Sequence, residues 1–174
     1  RSPSWFERNA ARYDRVVYAF GADPRCLGWM PDLIRHIPGI VILHDFNVGR
    51  SLAGSADGAP PVDWLRELYR SHGWTAILDI GTPDGLRAPG GYPCTGGTIA
   101  HAQGVITLDA THRADAEAWF GAGVSEDWIL IDGDAASSPA ERADRFRDAI
   151  ETIHAASPVT RLDRLADDLA GIAP

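Results

Sequence analysis

Short uninterrupted apolar runs alternate along this chain with segments whose apolar residues recur at three- and four-residue spacing. Ile40-Val41-Ile42-Leu43 is the clearest run, four branched residues that follow the turn Pro38-Gly39 and close on the polar pair His44-Asp45. A strand covered on both faces needs no polar positions, so this run predicts an interior strand of a parallel sheet. Arg15 to Phe20, Gly104 to Asp109 and Trp128 to Asp132 read the same way, the first as a strand buried on both faces that stops at Gly21-Ala22-Asp23-Pro24. Helical spacing fills the intervals. Leu27, Met30, Leu33 and Ile34 form one stripe, Val62, Leu65, Leu68 and Tyr69 another that ends near Gly73, and Ala110 to Phe120 a third. Strand and helix in regular alternation build a parallel sheet with right-handed crossovers and helices on both faces, an α/β fold.

The ends and joints are set by capping and breaking residues. Ser4 with Glu7 three positions on is expected to open a first helix that runs to about Tyr13. Gly54 to Pro61 reads as a loop, and the Gly- and Pro-rich stretch from Gly81 to Gly97 is too interrupted for a regular element, while Thr75 to Ile80 fits either a strand or a helical turn. Pro139 suits the first position of a helix whose face is Phe146, Ala149, Ile150 and Ile153, and a last helix is expected through Leu162, Leu165 and Leu169. This divides the chain into an α/β unit over residues 1–134 and C-terminal helices over 135–174 that pack on it.

Composition narrows the partners. The net charge of −8 opposes the clustered positive face that nucleic-acid binding requires, so no nucleic acid is expected. All 16 basic residues are arginine, which excludes a Schiff-base lysine and a phosphate-loop lysine. Cys26 and Cys94 lie too far apart in sequence for a metal-type pair and are expected to be buried free thiols; the histidines share no ligand spacing, so no metal is expected. No apolar run reaches the roughly 18 residues of a membrane span, and no charged-then-apolar leader opens the chain, so the expected location is cytoplasmic.

Open parallel sheets bind ligands beyond the carboxyl ends of their strands. That places the candidate chemistry at Gly21 and Asp23, at His44 and Asp45, and at Asp109. An imidazole at a strand end can donate to an oxygen that gains charge, and a carboxylate can orient it or take a hydroxyl proton. Each residue also has a structural alternative, since aspartates at strand ends commonly cap the helix that follows. Neighbouring residues on a strand point oppositely, so His44 and Asp45 can meet only where the strand has ended. Gly49-Arg50-Ser51-Leu52-Ala53 approximates the strand-turn-serine-turn-helix of a hydrolase nucleophile elbow, with Ala where the pattern has its last Gly.

Tyr13 to Tyr18, Gly21-Ala22-Asp23-Pro24 and Leu33 to Asp45 together resemble the amino-terminal domain of bacterial family 4 glycosyltransferases. Leu68 to Trp74, Gly91-Tyr92-Pro93, Ala102 to Ile106 and Ala118-Trp119-Phe120-Gly121 follow in that family's order, and Ala143 to Glu151 resembles its closing helix. The resemblance covers roughly residues 5 to 132. It implies a Rossmann-like half of a GT-B enzyme that moves a sugar, with retention, from a nucleotide-sugar co-substrate to an acceptor glycan, lipid or small molecule, with no other cofactor. His44 and Asp45 are then the catalytic candidates and Gly21, Asp23 and Asp109 the acceptor-binding ones. The family's glycine-rich first strand and its donor-binding domain with paired glutamates have no match here, so transfer is expected to need a second domain, and a glycan- or partner-binding module without catalysis is the alternative. Ala22 stands where the family usually has Asn, and Asp109 where it usually has Ser.

Overall fold

The computed structural model describes residues 2–21, 28–53, 61–82, 91–132 and 138–157. Four parallel strands form one sheet: β1 (Val17–Phe20), β2 (Ile40–Leu43), β3 (Gly104–Thr107) and β4 (Ile129–Leu130), in that spatial order. Val17 pairs with Ile40, Ile40 with Gly104, and Ile106 with Ile129. The architecture is α/β and Rossmann-like, with helices on both faces.

The strand order explains how the two faces are filled. Every crossover steps to the next strand in the same direction, and right-handed crossovers that all step one way lay their helices on one side. That side holds the main core. Tyr18, Phe20, Val41, Leu43 and Val105 point into it from the sheet. They meet Met30, Leu33 and Ile34 of α2 (Met30–His36), Val48, Leu52 and Ala53 of α3 (Val48–Ala53), Trp64, Leu68, Ala76 and Ile80 of α4 (Val62–Ile80), and Ala116 of α6 (Thr111–Phe120). Fully burying one such aliphatic or aromatic side chain contributes about 1.5–3 kcal/mol. The opposite face carries the complementary parity, Ile40 and Ile106, and is closed by Ala149 and Ile153 of α7 (Pro139–Ala156) together with Ile131.

Several expectations change. β1 is buried on one face only: Tyr18 and Phe20 are buried while Val17 and Ala19 are exposed, because the α7 cluster takes residues from β2, β3 and the β4 side and none from β1. The first helix, α1 (Pro3–Asn9), is capped by Ser2 and not Ser4, with the Trp5 N–H donating to Ser2 Oγ at 3.2 Å. Pro3 takes the first helical position, where a missing N–H costs nothing, and so shifts the cap one residue upstream of it. A 3-10 turn (Ala10–Arg12) continues the segment. Thr75 to Ile80 is helical: α4 continues through a break at Gly73, where φ is +72°. Within the Gly-rich stretch, α5 (Gly96–Ile99) forms a single short turn. The capping box does occur at Ser138, whose hydroxyl accepts from Glu141 N–H while Glu141 accepts from Ser138 N–H. The loop at 54–60 and the helix expected through Leu169 lie outside the described residues.

Two polar ties join α2, α4 and the sheet. Asp32 accepts from Arg66 at 2.7 Å and Arg70 at 2.6 Å, and Arg70 also meets the buried Glu67 at 2.5 Å. The Tyr18 hydroxyl donates to the Ile37 carbonyl at 2.7 Å, and burial pushes its pKa up to about 12. Among the described residues no helix is long and apolar enough to cross a membrane.

Candidate functional site

At the carboxyl ends of β2 and β3 a cavity of about 370 Å³ opens to the surface. Three segments build it. The exit of β2 brings Asp45, Phe46 and Asn47; the loop after α4 brings Gly91 and Pro93; α6 brings Thr111, His112, Asp115 and Trp119. The last four stand on one side of α6 because residues three and four apart share a helical face. Neither an arginine nor any other fixed cation lines the cavity among the described residues, whereas two aspartates do.

The turn out of β2 is shaped by its own side chains. Asp45 Oδ1 accepts the Asn47 N–H at 2.8 Å, and Asn47 Oδ1 accepts the Arg50 N–H at 3.3 Å, so each satisfies a donor that the start of α3 leaves open. Ser51 sits within α3, in helical backbone, so the nucleophile-elbow reading of Gly49 to Ala53 does not hold.

The loop that roofs the cavity is tied at three points, and α5 after it at a fourth. Gly49 N–H donates to the Pro93 carbonyl at 2.9 Å, the Tyr92 hydroxyl to Asp79 at 2.8 Å, Cys94 N–H to His72 Nε2 at 3.4 Å and Gly97 N–H to Ser71 Oγ at 3.1 Å. His72 is packed among Tyr92, Trp119 and Phe120, with ring centroids 5.1, 5.1 and 5.6 Å away. Loss of water around it lowers its pKa from 6.5 to about 4, so it is neutral at physiological pH. Cys94 is a buried free thiol, raised to about 12 by burial and by the nearby Glu67 charge. Cys26 lies outside the described residues.

Behind the cavity lining, buried Thr107 pairs with His112, which itself lines the cavity. His112 Nδ1 lies 2.8 Å from Thr107 Oγ1, and that hydroxyl lies 3.0 Å from the Asp109 carbonyl oxygen.

The structure sorts the strand-end residues into separate places. His44 is exposed, its N–H bonded to the Phe20 carbonyl at 2.8 Å, and a Cβ on Gly21 would lie 3.6 Å from His44 Cβ. Gly21 and His44 are therefore neighbours, while His44 does not line the cavity that Asp45 enters. The end of β2 thus sends only the second of the two residues into the cavity. Asp109 is exposed and accepts both the N–H and the hydroxyl of Thr111 at 2.8 Å, bonds that hold its carboxyl below the usual range. It caps α6 outside the cavity lining. Asp23 lies outside the described residues. No group of three or more His, Cys, Asp or Glu among the described residues is arranged to hold a metal ion.

His112, Thr107 and Asp115 were not among the expected site residues. The available signal was their position: a helix that starts four residues past the end of a strand presents its first turns to the ligand side of the sheet. Comparison with protein-family models, curated proteins and solved structures finds no match to this chain.

Proposed function

We propose that this chain forms the acceptor side of a sugar-transfer site, in which the cavity at the ends of β2 and β3 holds a neutral polyhydroxylated acceptor while a nucleotide-sugar is presented from a second domain. The observation that carries this reading is the lining. Asp45, Asn47, Thr111 and Asp115 supply acceptors and donors suited to hydroxyl groups, and the half-exposed Trp119 offers an apolar face for the C–H side of a sugar ring. The two carboxylates repel a phosphate, so an uncharged ligand fits and a nucleotide diphosphate does not. The similarity of the segments around residues 5 to 132 to family 4 glycosyltransferases adds the reaction class. In that reading His44, beside Gly21 at the adjoining strand ends and outside the cavity lining, remains the catalytic candidate toward the second domain.

A second reading, a glycan-binding module without transferase activity, is favoured by the same lack of a lining cation, since the described lining offers no positive side chain to a donor's phosphates. Both readings require sugar binding. Saturation-transfer NMR with the methyl glycosides of glucose, galactose, mannose and N-acetylglucosamine tests them together. At least one glycoside is expected to receive saturation, and the signal is expected to vanish in Trp119→Ala and Asp115→Ala chains that keep their circular dichroism. Absence of binding across the set, or binding unchanged in both variants, would overturn the assignment. Radiolabelled transfer from nucleotide-sugars in the presence and absence of added second-domain protein then separates transferase from module.

A further inference from the structure

The Thr107–His112 pair gives the cavity a further, unassigned residue, and this inference rests on the sugar-binding reading above. We infer that His112 is a neutral hydrogen-bond acceptor of the cavity for a ligand hydroxyl, held in the Nδ1–H tautomer by Thr107.

Three contacts meet at Thr107 Oγ1. The Asp109 carbonyl at 3.0 Å can only accept, so the hydroxyl hydrogen points to it. The Asp109 N–H at 3.4 Å can only donate toward Oγ1. His112 Nδ1, at 2.8 Å, faces an oxygen whose hydrogen is already committed, and therefore brings its own. The reverse assignment, with the hydroxyl donating to Nδ1, would leave two acceptors, Oγ1 and the Asp109 oxygen, 3.0 Å apart with no hydrogen between them. Thr107 is fully buried and His112 nearly so, which makes a mispaired hydroxyl here costly.

In a neutral imidazole one nitrogen donates and the other accepts. With the hydrogen on Nδ1, Nε2 carries a lone pair. Nε2 has no hydrogen-bond partner among the described residues and is not sealed away as an unsatisfied buried atom, and His112 lines the cavity together with Asp45 and Asp115. The carboxylates and Nε2 then all present acceptors, a set that selects a ligand rich in hydroxyl donors and rejects one that carries its own negative charge.

Long-range proton–nitrogen NMR of the full chain labelled with 15N-histidine reads the tautomer directly, with the His112 signals assigned by their loss in His112→Gln. The expected result is an Nδ1–H ring, shifted toward a tautomer mixture in Thr107→Val, which keeps the shape and removes the acceptor. Titration with whichever methyl glycoside binds is expected to move the His112 Nε2 resonance, and His112→Phe is expected to weaken binding at least tenfold with the fold retained. An Nε2–H ring in the free chain overturns the inference. So does glycoside binding that moves Trp119 signals but leaves Nε2 unshifted, an outcome under which the sugar-binding assignment still stands. Failure of every glycoside to bind overturns both.

Discussion

Gly49 runs so close to Tyr92 that a Cβ on the glycine would stand 2.0 Å from the Tyr92 carbonyl oxygen and 3.0 Å from Cys94 Sγ. The first obstacle is backbone, which cannot turn aside as a long side chain can. Gly49→Ala must therefore push the 91–94 loop off α3 and break the Gly49 to Pro93 hydrogen bond. The expected cost is about 2–4 kcal/mol, in the upper range for overpacking. Urea unfolding would measure it, and loss of glycoside binding beyond what the stability change accounts for would show that this contact sets the cavity roof.

The fold was legible where its signal is local. Ile40 to Leu43 declared an interior strand because no polar residue interrupts it, and Phe146, Ala149 and Ile153 declared the inner face of α7 by spacing alone. The one-sided burial of β1 is not legible locally, because Val17 and Ala19 are apolar without being covered, and coverage depends on where α7 lies, which no window of sequence near residue 17 contains. At the site, the strand ends pointed to Asp45, but the rest of the cavity wall comes from residues on α6 and from Gly91 and Pro93, far downstream of β2 in sequence. Thr107 and His112 are five apart, across the junction between a strand and a helix, so neither a two-residue nor a 3.6-residue period pairs them.

Gly104 provides the corresponding test on the other face of the sheet. A Cβ there would lie 2.5 Å from Ile153 Cγ2 and 3.0 Å from Cγ1. Here the obstacle is a side chain that can be trimmed. Gly104→Ala alone is expected to cost about 1–3 kcal/mol by forcing α7 outward. Combined with Ile153→Ala, which removes both γ carbons that stand in the way, part of that loss should return, giving a favourable coupling of about 1 kcal/mol in a double-mutant cycle. Additive costs would mean that the helix adjusts without using the space.

The aromatic surroundings of His72 give stability a defined dependence on acidity. Its folded pKa of about 4 lies below the ordinary 6.5, so between those values the unfolded chain binds a proton that the folded chain refuses. Stability is complete above about pH 6.5, falls as the pH drops toward 4, and gains no further slope from this residue below that. Because His72 is partly exposed, the loss is discounted to about 1–2 kcal/mol. His72→Phe removes the titrating group while keeping a ring among Tyr92, Trp119 and Phe120. Its urea midpoint should change less than that of the native chain between pH 7 and pH 4.5, and an equal change in both would exclude His72 as the source.

Asp32 and Glu67 share Arg70 but should respond oppositely to loss of charge. Asp32 has 43% of its side chain exposed and sits between Arg66 and Arg70, whereas Glu67 has 5% exposed. Burial raises the Glu67 pKa despite Arg70, so the folded chain holds a proton there more tightly than the unfolded chain does. Its charge is therefore a net burden above the folded pKa, relieved as the pH falls through it. At pH 7, Glu67→Gln should be neutral or stabilising, since the amide keeps the shape and Arg70 retains Asp32. At Asp32 burial also pushes the carboxyl upward, but the two guanidinium groups outweigh it and the pKa is lowered. Asp32→Asn should thus destabilise, by about 0.5–1 kcal/mol for a partly exposed pair, and 1 M salt should erase most of that difference. Urea titrations of both variants at low and high salt decide the matter; a destabilising Glu67→Gln would show that the Arg70 bond outweighs the cost of burying the charge.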